Sequence, residues 1–449
     1  MPRIRSSAIL FLISSLVLAF NSGRAQGNPG PLPTLREQAA IQQEWLKLRL
    51  DRVLPQLMRE NNVQMWIVDM REYNEDPVFS SLVSPTTFSA RRRSIYVFFD
   101  RGPEKGMERL ALGGSSQGGL YVAYRDTTLK NAELWGDTQW TMLANVVRAR
   151  DPKTISVNIS NTHAFSDGLS AGEWELMQKA LGPKYVGRIV RAERLPLDYI
   201  AVRIPEMLPL YKKMMETSHA IIERAFSSNV ITPGKTTTQD VVWWMRQRLQ
   251  ELGLTTWFQP TVDVQRRGSD LSNDPDPIIQ RGDVLHCDFG VTAMRLNTDT
   301  QHMGYVLREG EADVPAGIQA VLAKSNRLQD IVIEAMKPGR TGNQVLAMAL
   351  EQMRKEGIDG SVYSHPVGEH GHGAGAIIGL WDRQMGVPGR GDVPLVTNTW
   401  YSVELQAGAK VPEWDNQVIR TPQEEDVAIG PDGSVRWILE RQKEFHLVR

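Results

Sequence analysis

One pattern occurs twice in this chain. "ITPGKTTTQDVVWWMRQRLQELGL" begins at Ile231 and "MKPGRTGNQVLAMALEQMRKEGI" begins at Met336. Pro233-Gly234-Lys235-Thr236 matches Pro338-Gly339-Arg340-Thr341, and Gln239 matches Gln344, all at an offset of 105. In each copy Pro-Gly marks a turn after one helical pattern, and Thr or Asn ahead of the next can cap its free N–H groups. In the first copy Val241, Val242, Met245, Leu249 and Leu252 recur at helical spacing, and Gly253 can end the run. Matches in register predict two related halves, each a helix pair with a share of one sheet, and a site between them.

The repeat fills only the second part of 449 residues, a length that favours two domains. From Leu35 onward a helical pattern is followed by "VQMWIVD", "SIYVFFD" and "TISVNIS", which read as buried strands with helices between them. The fold class expected is α+β: an α/β domain over 35–204, then a domain of two pseudo-symmetric αβ halves over 205–449. Residues 1–25, with basic "MPRIR", apolar "SAILFLISSLVLAF" and small residues before Ala25, are expected to be a signal peptide. Residues 26–34 would be a flexible mature N-terminus. The apolar run is short for a membrane span and none follows it, so the expectation is export to the periplasm or the exterior. The alternative is an uncleaved anchor.

Lys and Arg (51) nearly cancel Asp and Glu (52), which sets aside nucleic acid and anionic membranes as partners. The single cysteine, Cys287, excludes a disulfide framework and sits in an apolar run, where a small buried hydrophobe is expected.

Acids carry the chemistry. In "HCDFGVTAMRLNTDTQ", residues 286 to 301, Asp288 and Asp299 lie in two β-prone runs. A hairpin turning between Ala293 and Met294 would make them cross-strand neighbours, about 5 Å apart at Cβ. Like charges so placed need a cation between them or a raised pKa on one. "SHPVGEHGHGAG" adds His365, His370 and His372 among glycines. In "WYSVELQAG" period-two alternation separates Tyr401, Val403 and Leu405 from Ser402, Glu404 and Gln406. "RTPQEEDVAIG" adds Glu424 and Glu425.

The order Asp, Asp, His, Glu, Glu at this spacing resembles the pita-bread metallopeptidases: methionine aminopeptidase, aminopeptidase P and prolidase, with creatinase a metal-free relative. The N-terminal part, including "REYNEDPV", is similar to the extra domain of the aminopeptidase P, prolidase and creatinase branch. The resemblance implies a pita-bread C-terminal domain with metal ligands Asp288, Asp299, His372, Glu404 and Glu424, His370 being the rival histidine. Asp288 and Glu424 would bridge two divalent ions, Asp299 would ligate one, and His372 and Glu404 the other. Four carboxylates balance two such ions, and an oxygen-rich site suits Mn²⁺, with Co²⁺ or Zn²⁺ as alternatives. A metal-bridging hydroxide would attack the scissile carbonyl, Glu404 would shuttle the proton, and the substrate would be a short peptide cut at an Xaa-Pro bond. A homodimer is the assembly the resemblance suggests.

Two departures from the family pattern follow. No histidine lies about seventeen residues before Asp288, where the chain reads "VQRRGSDLS". Seven residues after His372 stands Gly379. His365, His370, His302 or Arg267 would have to stand in, with His365 and His370 taken as catalytic candidates. Two readings therefore compete: an exported Xaa-Pro peptidase, and a pita-bread protein whose peptidase activity has changed or been lost, a small-amide C–N hydrolase or a metal-bearing binding protein.

Overall fold

The computed structural model describes residues 30–125 and 137–449, so the expected signal peptide lies outside the described residues. Among those described, no helix is long and apolar enough to cross a membrane.

The first sheet has six strands: β1 (Met65–Arg71), β2 (Arg93–Asp100), β3 (Met107–Leu112), β4 (Val122–Tyr124), β5 (Ile155–Ser156) and β6 (Ile189–Val190), in the order β4-β3-β2-β1-β5-β6. β1 and β2 are apolar on both faces because both faces are covered. Met65, Ile67, Ile95 and Val97 pack with Trp140, Leu143 and Val147 of the helix Asp137–Arg150. Trp66, Val68, Tyr96 and Phe98 point the other way, into a core shared with Trp45, Leu50 and Tyr199. "TISVNIS" keeps only Ile155–Ser156 as strand.

The second sheet has nine strands: β7 (Thr261–Gln265), β8 (Val284–Phe289), then, after a two-stranded ribbon of β9 (Thr292–Ala293) and β10 (Leu296–Asn297), β11 (Thr300–Val306), β12 (Asp359–Val362), β13 (His365–Val367), β14 (Thr399–Val411), β15 (Gln417–Ile429), β16 (Val435–Trp437) and β17 (His446–Val448). Its main path runs β12-β14-β15-β11-β8-β7, with β13 on β14, β16 on β15 and β17 on β11.

The sequence repeat is structural. Gly234 donates its N–H to the Ile279 carbonyl and Gly339 to the Leu395 carbonyl, so each Pro-Gly turn docks on an extended segment. Thr237 caps the helix Thr238–Glu251 with Asp240 completing a capping box, and Thr341 caps Gly342–Lys355 with Gln344. The caps are offset by 104, not 105, because the first copy carries one more residue between its Pro-Gly and its cap. Side-chain chemistry, not letter matching, sets the equivalence.

The hairpin register also differs from the expectation. Asp288 pairs with Gln301, Thr292 with Asn297 and Ala293 with Leu296, so the turn is Met294-Arg295. Both residues have positive φ, 52° and 58°. This left-handed geometry suits a two-residue hairpin but disfavours side chains of this size by about 1–2 kcal/mol each. Met294 is buried, and the Arg295 guanidinium donates to the carbonyls of Ser80, Val83, Ser84 and Thr87 in the N-terminal part. Tertiary contacts override the local preference.

The two parts also meet at a buried charge cluster. Glu369 accepts hydrogen bonds from Arg49, Arg203 and Ser81, with the three charged side chains 4–5 % exposed. Burial pushes the Glu369 carboxyl up, but the two guanidiniums outweigh it and hold it below the usual range.

Candidate metal centre

Strand registers place the acids. Glu404 on β14 pairs with Glu424 on β15, Glu424 pairs with Gln301 on β11, and Gln301 pairs with Asp288 on β8. These four side chains therefore form one transverse row on one sheet face. Two residues along, on the same face, lies a second row: His365 on β13 pairs with Ser402 on β14, and Ser402 with Asp426 on β15. Asp299, two residues before Gln301, donates its N–H to Asp426 Oδ2 at 3.4 Å.

His365 is the histidine that faces the acids. Its Nε2 lies 3.3 Å from Glu424 Oε1, 3.6 Å from Asp299 Oδ2 and 3.8 Å from Glu404 Oε2. The ring is fixed from behind, Nδ1 lying 3.0 Å from the Pro366 carbonyl oxygen. Gln301 donates from Nε2 to Glu404 Oε1 and Glu424 Oε2, each at 2.8 Å. His286 Nε2 lies 2.9 Å from Gln301 Oε1, and its Nδ1 lies 3.1 Å from Asp263. Ser402 donates to Glu424 Oε1 at 2.7 Å.

The donor set fits divalent cations. Asp288 Oδ1, Asp299 Oδ1 and His365 Nε2 are buried with no hydrogen-bond partner in the protein. These three belong to one cluster, and an ion there would satisfy all of them at once. Separations a little above 3 Å are what neighbouring ligands on one ion at about 2.1 Å would show. Burial, and then the Glu424 charge, pushes Asp288, Asp299 and Glu404 well above the usual carboxylate range. Acids in that state either hold protons or surrender them to a cation.

For the histidine the geometry departs from the sequence reading. His372 is exposed and stands one ring further out, its ring centre 4.8 Å from that of His365 and its Nε2 3.1 Å from the Tyr363 hydroxyl. The Gly-His-Gly letters favoured His372, but strand pairing with Ser402 turns His365 inward. Among the aspartates, Asp299 is the one that stands beside His365, its Oδ2 3.6 Å from Nε2. His370 packs instead on Phe165, with ring centres 4.8 Å apart. Arg267 is paired with Asp415. His302 points to the opposite face, towards Glu425. Cys287 is wholly buried, and burial raises its thiol far above the ordinary value.

Gln301 and Asp426 were missed in the sequence. Each sits two residues after an anticipated ligand, Asp299 or Glu424, so period-two alternation alone would have found both. Tyr211 Oη lies 2.8 Å from Asp426 Oδ2, and burial pushes the Asp426 carboxyl well up. The loop bearing His372 approaches the aromatic wall closely. A Cβ on Gly371 would lie 2.1 Å from the Trp257 ring, which contacts the His372 imidazole edge-on at 5.1 Å.

Among solved structures, the X-Pro aminopeptidase from Thermotoga maritima MSB8 shares 18 % identity at a TM-score of 0.60, over 88 % of this chain and 100 % of that one. The Xaa-Pro dipeptidase from Bacillus anthracis shares 14 % at a TM-score of 0.53, over 92 % and 100 %. The N-terminal domain of FACT complex subunit SPT16 from Cicer arietinum (chickpea) shares 11 % at 0.58, over 91 % and 99 %. At such identities the likeness establishes the fold, in which a creatinase-type N-terminal domain precedes a pita-bread domain. No curated protein matches the chain. Residues 210–437, half of the chain, match Metallopeptidase family M24. The chain, with its acidic rows and its inward histidine on that fold, belongs to metallopeptidase family M24.

Proposed function

We propose that the chain is an exported metallopeptidase that hydrolyses Xaa-Pro bonds in short peptides with two divalent ions. The observation that carries this reading is the convergence of three partnerless buried donors, on Asp288, Asp299 and His365, beside Glu404 and Glu424. His365 and Glu404 would hold one ion, Asp288 the other, with Asp299 and Glu424 serving both. When bound, such a pair supplies an activated water and a Lewis acid for the scissile carbonyl.

The chain's own residues divide the rest of the work. Glu404 is more open than Glu424 or Asp299, 20 % exposed against 1 % and 4 %, and is placed to take a proton and return it to the leaving amine. Gln301 and Ser402 fix the lone pairs that Glu404 and Glu424 present. His372 is kept neutral, pushed to about 4 by desolvation of the covered part of its ring and by the nearby His365, and can hydrogen-bond substrate from its open side. With His365 as ligand, His372 is the histidine seven residues on, so the departure assigned to Gly379 disappears. Preference for Xaa-Pro is supported by likeness to X-Pro aminopeptidase over the N-terminal part as well as the catalytic one.

The second reading, altered or lost peptidase activity, draws on the 265–275 segment, which has no histidine and whose Arg267 is committed to Asp415. One experiment separates the two. The mature chain is loaded with Mn²⁺, Co²⁺ or Zn²⁺, bound metal is counted by elemental analysis, and a panel of Xaa-Pro peptides is assayed. Metal-dependent turnover abolished by Asp299→Ala is expected. Metal bound without turnover would overturn the peptidase reading, and full activity in Asp299→Ala would overturn the metal mechanism.

A further inference from the structure

β11 and β15 carry a second constellation on the face away from the acidic rows. Residues that follow one another in a strand point to opposite sides, so His302, after Gln301, and Glu425, after Glu424, meet behind the sheet. Glu425 is fully buried. Its Oε1 lies 2.7 Å from His302 Nε2 and its Oε2 lies 3.0 Å from His219 Nε2, on the helix Leu208–Ala225. The His219 and His302 rings meet edge-on with centres 4.7 Å apart. One donor atom from each of the three residues falls within 4.8 Å of the other two.

We propose that His219, His302 and Glu425 form a separate structural cation site for a Zn²⁺-like ion. Two imidazole nitrogens and one carboxylate are a ligand set for zinc rather than for the oxygen-seeking ions of the acidic rows. The supporting contact is present as well. His302 Nδ1 lies 3.1 Å from Nε2 of His446 on β17, and with a cation bound a proton on Nδ1 would leave the Nε2 lone pair free to ligate it beside Glu425. A hydrogen bond from the far nitrogen is the usual way a ligating imidazole is aimed. The His219 side chain, 22 % exposed, provides the entry and a place for water as fourth ligand.

The location explains what such an ion would do. The ladder between β11 and β15 contains one residue pair, Gln301 with Glu424, whereas that between β14 and β15 contains thirteen. The β11–β15 seam is thus weakly zipped by backbone bonds, yet it sets the spacing of Asp299 and Gln301 relative to Glu424. An ion held by His302 of β11, Glu425 of β15 and His219 of the helix would rivet this seam from behind. The assignment does not depend on the peptidase reading.

The test uses the full chain stripped with chelator and reloaded with Zn²⁺ alone. His365→Ala/Asp299→Ala disables the acidic rows. That protein should retain one zinc equivalent by elemental analysis and gain Tm on zinc addition, and adding His219→Ala should abolish both. Co²⁺ gives a second signal, since four-coordinate nitrogen-oxygen sites produce intense visible bands that His219→Ala should remove. Should the double variant fail to fold, the parent is compared with His219→Ala alone, which should hold one equivalent fewer. A folded double variant with no zinc and no Tm gain would overturn the proposal, as would metal content indifferent to His219→Ala.

Discussion

Gln301 offers the sharpest test of how the acidic row is held. Its amide donates two hydrogen bonds of 2.8 Å, one to Glu404 and one to Glu424, and is itself oriented by His286. Bonds to charged groups contribute about 1.5–3 kcal/mol each, so Gln301→Leu removes on the order of 3–6 kcal/mol of gross interaction. Part of that loss falls on folding, and the rest falls on metal binding, because both glutamates must be re-aimed when an ion arrives. Loss of such supporting contacts typically lowers metal affinity about 10–100-fold. The expected outcome is a fall of that size for Mn²⁺ in competition with a chelator of known affinity, with a near-native circular dichroism spectrum. His286→Ala should move in the same direction by a smaller factor, since it removes the support and leaves the amide. A Gln301→Leu protein binding Mn²⁺ within about two-fold of the parent would refute the idea that the amide sets the row's geometry.

Three further outcomes are expected. Glu369→Gln leaves Arg49 and Arg203 buried without an anion, which should cost about 3–5 kcal/mol, a Tm decrease of about 3–5 °C by calorimetry for a chain of this length. Because the folded Glu369 pKa is depressed, that gap should be full above the unfolded carboxylate value of about 4.3 and shrink as pH falls through the lower folded value; a pH-independent gap would contradict the charge argument. His365→Ala should abolish high-affinity metal retention in the acidic rows, whereas His372→Ala should keep the metal and lower kcat/KM by about 10²-fold, a few kcal/mol of lost transition-state contact; equal metal loss in both would refute the division of roles. Asp288, Asp299 and Glu404 have raised pKa values in the metal-free protein, so it should lose stability as pH rises from about 4, while metal binding should release protons and tighten with pH. Calorimetry in two buffers of different ionisation enthalpy counts those protons, and a count of zero would refute the account.

Much of this was legible in the letters. The doubled Pro-Gly segment announced two related halves, and the acids Asp288, Asp299, Glu404 and Glu424 were all singled out before any strand was placed. What sequence reasoning lost, it lost to tertiary forces. The hairpin turns at Met294-Arg295, a pair that local propensity would reject, because Arg295 reaches four carbonyls more than 200 residues earlier. Choosing between His365 and His372 required knowing that β13 lies against β14. The Arg49–Glu369–Arg203 cluster joins residues 320 and 166 positions apart, beyond any local pattern. Gln301 and Asp426 are different: alternation along β11 and β15 contained both, each two residues beyond an anticipated ligand.

The grip of Arg295 on the N-terminal carbonyls has a consequence for inheritance. A hairpin whose tip adopts an unfavourable backbone only while another unit holds it cannot be passed on without that unit. Shuffling the catalytic half onto a different partner would release the tip, and Asn297, three residues from Met294, would lose its hold on the Gly368 and Glu369 carbonyls. The two halves of this gene product are therefore expected to travel together.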